Sequence, residues 1–132
     1  LNGCKFEKKL PMHFKAELFS IPSPSKKIYC IAEFEPVVGH EQELFEKLLS
    51  LEPLALREDG CLRYRVTRQL DHPQAPLHAK FSIMFNEEWA SLEAFDAHSA
   101  QPYLIEFFNK YIQDPATSIT ADCRVRIFSD EV

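Results

Sequence analysis

The stretch FSIMFNEEWASLEAFDAH, residues 81–98, decides the fold because its hydrophobic periodicity changes partway along. Up to Trp89, large apolar residues recur at alternate positions, with Glu87 on the same face, which is typical of a strand with one buried side. Ser91 is a residue type that caps helix N-termini. The residues that then follow at helical spacing are Leu92, Phe95 and His98. The stretch therefore predicts a strand that runs directly into a helix.

Segments on either side of this stretch complete the pattern. Three more strands and two more helical segments are predicted, and the first helix restarts at Pro53 and closes at Gly60. The strand segments are KIYCIAEFEP (27–36), CLRYRVTRQL (61–70), HAKFSIMFNEEW (78–89) and SITADCRVRIF (118–128). The further helical segments are HEQELFEKLLSLEPLAL (40–56) and PYLIEFFNKYI (102–112). The predicted order is β-α-β-β-α-β, with the second helical segment broken in two.

This order is that of the split βαβ, or ferredoxin-like, α+β arrangement. An antiparallel four-stranded sheet then carries its helices on one face. The other face would present apolar side chains among the arginines of the strands, namely Tyr29, Ile31, Met84 and Phe128. A second copy of the sheet would cover this surface. The pattern therefore predicts a homodimer that pairs sheet to sheet around a barrel-like core.

Residues 1–25 differ in composition from residues 26–132, which form the predicted domain. The segment SIPSPSKK (20–27) contains two prolines and three serines and is typical of a linker. The arm before it is predicted to be a mobile tail or a segment that lies along a neighbouring subunit. Residues 1–4, LNGC, loosely resemble a bacterial lipoprotein cleavage box, although the apolar segment that such a box follows is not in view.

The charge and cysteine content limit the partners and the compartment. The chain carries 15 basic and 20 acidic residues, a net charge of −5, which disfavours nucleic acid and anionic membranes as partners. No apolar run reaches the roughly 18 residues needed to span a bilayer. The cysteines are far apart and form no CxxC pair: Cys4, Cys30, Cys61 and Cys123. This pattern favours buried thiols in a reducing compartment, so the predicted location is cytoplasmic.

Four segments together carry a family resemblance. They are EDGCLRYRVTRQLDHP (58–73), the strand that ends in Glu87 and Trp89, SLEAFDAH (91–98) and QPYLIEFF (101–108). In this combination the chain resembles the antibiotic-biosynthesis monooxygenase-like family of dimeric ferredoxin-like proteins. The resemblance covers residues 27–128. It implies the same fold and dimer that the strand and helix pattern predicts.

For function, the resemblance implies cofactor-independent oxidation of a small quinol or phenolic aromatic substrate by O₂. In such enzymes the deprotonated substrate is itself the reductant, so no cofactor and no metal is expected. The sequence carries no GxGxxG, P-loop, HExxH or metal-spaced Cys/His set. Two alternatives stay open: a non-catalytic small-molecule-binding or stress-response module, and isomerisation or degradation of a small signalling metabolite.

The haem-degrading members of the family provide a residue-by-residue comparison. They carry an Asn in the first strand, a Trp in the penultimate helix and a haem-ligating His further along. Here the first strand, Ile28 to Phe34, contains no Asn, His98 occupies the Trp position and Phe108 stands where the ligand is needed. Haem breakdown is therefore not expected, because the iron would lack its axial imidazole.

His98 and Glu87 form the predicted catalytic pair. An imidazole accepts and returns a proton near neutral pH. Glu87 is predicted to point inward, where a carboxylate needs a partner, either an arginine or His98 itself. The residues predicted to bind the substrate are Trp89, Tyr64, Phe95 and Phe107. Each role has a structural alternative. His98 could be a residue that only ends its helix, and Trp89 could only fill the corner between strand and helix. Tyr64 could be a buried tyrosine hydrogen-bonded to the backbone, and the aromatic residues of the last helix could be core packing.

Overall fold

The structure is a computed structural model that describes residues 26–75 and 80–130. Its strands are β1 (Ile28–Pro36), β2 (Cys61–Arg68), β3 (Ile83–Trp89) and β4 (Thr120–Ser129). Its helices are α1 (Glu41–Leu49), α2 (Glu52–Leu56), α3 (Leu92–Ser99) and α4 (Pro102–Phe108), and α4 continues into a π-helical turn over Asn109–Gln113. The predicted order of elements is confirmed. The arm and linker predicted at residues 1–25 lie outside the described residues.

The four strands form one antiparallel sheet in the order β2-β3-β1-β4. This order is that of the ferredoxin-like α+β fold, so the predicted fold class is confirmed. The two central strands, β1 and β3, alternate buried and partly exposed residues along their length. Their register places Cys30 opposite Glu87, and Tyr64 of β2 faces Glu87 from the other side. This row of three residues brings the predicted site to the middle of the sheet.

The core lies between the inward face of the sheet and the helices. The inward residues of β1 are buried as the alternation predicts: Ile28, Cys30, Ala32 and Phe34. The helices contribute Leu44, Leu48, Ala55, Phe95, Leu104, Phe107 and Phe108 to the same core. Each large apolar side chain buried here contributes roughly 1.5–3 kcal/mol relative to leaving it exposed. The apolar stripe of each helix therefore fixes how that helix sits on the sheet.

Two junctions position the helix that carries His98. The Ser91 side chain accepts a hydrogen bond from the Ala94 backbone N–H at 3.1 Å, which confirms the predicted cap of α3. Gly60 precedes β2 with φ +82°, and a Cβ at this position would lie 2.6 Å from the Ala94 Cβ. Only glycine combines this backbone conformation with so close an approach. The turn before β2 is therefore held tightly against α3.

Two β-bulges alter the alternation that the sequence predicts at the sheet edges. Strict alternation with the buried Tyr64 and Val66 would point Leu62 inward, but it is 51% exposed because the register between β2 and β3 shifts at this residue. Ala121 is likewise exposed, since the pairing of β1 with β4 shifts beside Pro36. An extra residue in one strand has no partner opposite it and reverses the alternation locally.

The cysteines and the helices bear on the predicted compartment. Cys30 and Cys61 are free thiols. Cys123 takes part in a disulfide bond, so the expectation that it is a reduced thiol is wrong. Within residues 26–75 and 80–130, no helix is long and apolar enough to cross a bilayer. A cytoplasmic location stays a prediction.

Candidate active site

Trp89, at the end of β3, is the centre of the candidate site and has no exposed surface. Alternate residues of a strand share a face, so Glu87 lies beside it. The Trp89 indole Nε1 donates a hydrogen bond to Glu87 Oε1 at 2.9 Å. The indole ring also packs on the imidazole of His98, with ring centres 4.5 Å apart and planes inclined by 31°. Trp89 therefore contacts both residues of the predicted catalytic pair.

Glu87 points inward as predicted and is buried. The sequence predicts an arginine or His98 as its partner, but its hydrogen bonds go to the Trp89 indole and the Cys30 thiol. Burial raises the pKa of Glu87 to about 8, although both hydrogen bonds act in the opposite direction. The side chain is therefore mostly a neutral carboxylic acid at neutral pH.

His98 lies in the last turn of α3 and is only 1% exposed. Its Nδ1 is 2.9 Å from Oε2 of Glu58, a residue in the turn between α2 and β2 whose side chain is 10% exposed. Burial lowers the pKa of His98, while the hydrogen bond and the charge of Glu58 act to raise it. The imidazole is therefore neutral at pH 7, the form that accepts a proton.

Tyr103, in the first turn of α4, also contacts Glu58. Its hydroxyl donates a hydrogen bond to Oε2, the same oxygen that His98 contacts. Burial and the neighbouring Glu58 carboxylate raise the pKa of Tyr103 above its usual value, so the phenol stays a donor at neutral pH. Glu58 thus ties α3 and α4 to the turn before β2.

Besides Trp89, two more of the predicted substrate-binding aromatics lie in this cluster. The ring of Tyr64 meets His98 edge to face at 5.1 Å and Trp89 at 6.2 Å. Phe95 packs edge to face on Trp89 at 6.5 Å. These contacts enclose the imidazole in flat apolar surface, which is the kind of surface that binds an aromatic ring.

Phe107 lies apart from this cluster. Its ring packs on Tyr111 at 4.8 Å and on Phe108 at 6.3 Å. Phe107 belongs to α4, and its side chain is buried in the core. A substrate-binding role for Phe107 stays a prediction, since the ring contacts found for it are those of core packing.

Glu58 and Tyr103 are members of the cluster that the sequence pattern did not reveal. Glu58 is 40 residues from His98 and 45 residues from Tyr103 along the chain. No local periodicity connects such positions. The nearest signal is indirect: Glu58 precedes Gly60 by two residues, and a glycine that closes a helix fixes where the chain turns back toward the sheet.

The two free thiols are poor nucleophiles in this setting. Burial raises the pKa of the Cys61 thiol to about 11, and burial raises that of the Cys30 thiol further. Both side chains are therefore protonated at neutral pH, and the thiolate is the reactive form of cysteine. Acid-base chemistry at His98 is better supported than covalent chemistry at either thiol.

Outside the cluster, a shallow depression of about 720 Å³ lies along α4 and the turn after it. It is lined by Pro102, Ile105, Glu106, Asn109, Lys110, Asp114 and Thr117, and it includes none of the candidate site residues. Within the part of the chain that the structure describes, no group of three or more His, Cys, Asp or Glu side chains is placed to hold a metal ion.

The class of protein is shown by a match to a family model. The family model described as antibiotic biosynthesis monooxygenase matches residues 27–110, more than half of the chain. The chain belongs to the antibiotic biosynthesis monooxygenase family. The predicted family resemblance is thereby confirmed. No curated protein matches the chain.

Solved structures are similar to the chain over most of its length. A protein from Shewanella oneidensis is 25% identical with a TM-score of 0.67, over 80% of this chain and 92% of that one. A candidate antibiotic biosynthesis monooxygenase from Deinococcus radiodurans is 18% identical with a TM-score of 0.65, over 80% and 93%. A dabb family protein with a ferredoxin-like fold from Mesorhizobium loti is 15% identical with a TM-score of 0.59, over 81% and 99%. The last two likenesses show the fold alone.

Proposed function

We propose that this protein is a cofactor-independent monooxygenase that oxidises a small quinol or phenolic aromatic substrate with O₂. Membership of the antibiotic biosynthesis monooxygenase family supports the reaction class. The observation that carries the proposal is the buried imidazole of His98, hydrogen-bonded to the Glu58 carboxylate and packed on Trp89. A proton acceptor against an aromatic wall is what deprotonation of a phenol requires.

In the proposed reaction, His98 removes the proton of a substrate hydroxyl. The resulting anion transfers one electron to O₂, and the substrate radical and superoxide combine to form a carbon–oxygen bond. The O–O bond then breaks, and one oxygen atom stays on the ring, as a carbonyl if the substrate is a phenol or as the hydroxyl of a hydroxyquinone if it is a quinol. The other oxygen atom leaves as water with two hydrogens of the substrate. The substrate supplies all the electrons, so the reaction needs no external reductant.

The remaining site residues have supporting roles in this proposal. Trp89, Tyr64 and Phe95 form the aromatic wall against which the substrate ring packs. Glu87 acts through Trp89: its carboxyl accepts the indole N–H and so fixes the ring that contacts His98. Because burial keeps Glu87 mostly protonated, it adds little negative charge beside the forming substrate anion.

A homodimer is the proposed assembly. The outward face of the sheet carries Ile31 and Met84, both partly exposed, and Phe128, which is 47% exposed. The same face carries charges of both signs, since Glu33 Oε1 accepts hydrogen bonds from Arg124 and Arg126. An apolar surface that also carries charges of both signs suits pairing with a second copy of itself.

The burial of His98 favours a second candidate, namely binding of a small aromatic molecule without turnover. With 1% of its surface exposed, the imidazole meets a substrate only if neighbouring side chains move. In a binding module His98 would serve as a packed and hydrogen-bonded core residue. This candidate predicts ligand binding with no consumption of O₂.

Oxygen consumption with reduced naphthoquinols separates the two candidates. The rate with purified protein is measured with an oxygen electrode, and the rate in protein-free buffer is subtracted because naphthoquinols autoxidise. With ¹⁸O₂, a monooxygenase places one labelled atom in the hydroxylated quinone and the other in water. We expect the same rate after treatment with a metal chelator. Binding of the quinol without protein-dependent O₂ uptake would refute the proposed reaction for this substrate class and favour the binding module.

A further inference from the structure

Oxygen Oε2 of Glu58 is the point at which three elements of the fold meet. His98 Nδ1 from α3 lies 2.9 Å from it, and the Tyr103 hydroxyl from α4 donates to it. An ionised carboxylate can only accept hydrogen bonds, and a phenol with a raised pKa can only offer its proton here. Both contacts are satisfied at once if Glu58 is the acceptor of each.

This arrangement determines the tautomer of the imidazole. A neutral histidine carries a single N–H, on either Nδ1 or Nε2. The hydrogen bond made by one ring nitrogen decides which of the two carries the proton. If Nδ1 donates to Glu58, Nε2 is left with its lone pair. The alternative tautomer would place a bare Nδ1 lone pair against a carboxylate oxygen at 2.9 Å, which is repulsive.

We propose that Glu58, held in place by Tyr103, is the positioning residue that makes Nε2 of His98 the proton-accepting atom of the site. The catalytic part of this inference rests on the proposed function, whereas the tautomer is a property of the protein by itself. The substrate hydroxyl loses its proton to Nε2, and the imidazolium that forms is stabilised by the Glu58 carboxylate at Nδ1. Return of that proton from Nε2 to the departing water restores the neutral ring.

Within residues 26–75 and 80–130, the other contacts found for the His98 ring are contacts with aromatic rings. Trp89 and Tyr64 present ring surfaces, at 4.5 and 5.1 Å between ring centres. The hydrogen bonds found for Glu87 go to Trp89 and Cys30. Glu58 is therefore the carboxylate placed to orient this imidazole. The two side chains also differ in burial, since that of Glu58 is 10% exposed and that of His98 only 2%.

Nitrogen-detected or long-range ¹H–¹⁵N NMR of the imidazoles tests the tautomer without any substrate. In the wild-type protein at pH 7.5 we expect the chemical-shift pattern of Nδ1–H with an unprotonated Nε2 for His98. In Glu58→Gln the side-chain oxygen can still accept from Nδ1, but we expect the pKa of His98 to fall, because the charge that raises it is gone. Asp59→Asn, at the exposed neighbouring position, is the control and should leave the His98 signals unchanged.

A wild-type His98 that carries its proton on Nε2 would overturn the proposal, whether or not the protein is an oxygenase and whether or not Glu58→Gln folds. An unchanged pKa of His98 in folded Glu58→Gln would overturn it as well. Amide spectra of each variant establish that the fold is retained.

The kinetic consequence is tested on whichever quinol the wild-type protein turns over. Glu58→Gln should lower kcat at least tenfold with KM changed less than twofold, because Glu58 acts through His98 and does not contact the substrate. Glu58→Asp should recover part of the lost rate, since it retains the carboxylate. A rise in KM at constant kcat would contradict the positioning role. If the wild-type protein consumes no oxygen, the proposed function fails while the NMR result still decides the tautomer.

Discussion

Replacing Glu87 with Gln should remove a pH-dependent loss of stability. Burial raises the pKa of this carboxyl from 4.5 to about 8, so between these pH values the folded protein holds a proton that the unfolded chain has released. Stability then falls as pH rises through this window, at up to about 1.4 kcal/mol per pH unit. Below the window both states are protonated, and above it both are ionised, so the slope is confined to it.

Gln at this position has no proton to lose, and its side-chain oxygen can still accept the Trp89 N–H. The free energy of unfolding of Glu87→Gln minus that of the wild type should therefore increase from pH 5.5 to pH 7.5, by as much as about 2.7 kcal/mol. Taking the difference in free energy of unfolding removes the contributions of all other titrating groups, which the two proteins share.

Urea unfolding at fixed protein concentration, followed by fluorescence of Trp89, the single tryptophan, measures this difference. Glu88→Gln is the matched control, because Glu88 is adjacent on β3 but points outward with a side chain that is 30% exposed. The free energy of unfolding of Glu88→Gln should depend on pH in the same way as that of the wild type. If the free energy of unfolding of Glu87→Gln also depends on pH as the wild type does, the carboxyl of Glu87 is not a buried, protonated acid. That result would refute the description of its surroundings.

Two further substitutions test the fold and the assembly. Gly60→Ala should lower stability by at least about 1–2 kcal/mol, because φ is +82° and the new Cβ would meet the Ala94 Cβ at 2.6 Å. Gly39→Ala, which has a similar φ of +88° and no atom within 4 Å, should cost less, and equal losses in Tm would show that the contact with Ala94 is unimportant. Ile31→Glu on the outward sheet face should convert the proposed dimer to a monomer in sedimentation velocity at micromolar concentration, whereas Val38→Glu, in an exposed turn, should not. A dimer that persists in Ile31→Glu, or a monomeric wild-type protein, would contradict the sheet-to-sheet assembly.

The elements that could be predicted from sequence are those whose signal is local. The alternation in β1 correctly places Ile28, Cys30, Ala32 and Phe34 in the core, because each side chain alternates with its neighbours regardless of what the strand pairs with. The cap at Ser91 is likewise local, because its side chain bonds the backbone of Ala94, only three positions along the chain. Such features need no knowledge of the partner element.

What could not be predicted depends on pairing between distant segments. Leu62 is exposed because β2 shifts its register against β3, and nothing in the sequence around Leu62 specifies that shift. The same limit applies to the candidate site. His98 and Glu87 are predicted as site residues from their own positions in a helix and a strand. The carboxylate that contacts His98 belongs instead to the turn before β2, which lies close to α3 at Gly60.

The measurement that tests the central claim most directly is turnover of a reduced naphthoquinol by His98→Gln beside His40→Gln. His40 is the matched control, since its Nδ1 also lies 2.9 Å from a glutamate oxygen, that of Glu43, but its side chain is 45% exposed and far along the chain from the site. General-base help is worth roughly 10²–10⁴ in rate, so we expect His98→Gln to lose at least tenfold in kcat while His40→Gln matches the wild type. Equal turnover by a folded His98→Gln would contradict the account and leave His98 as a packed core residue.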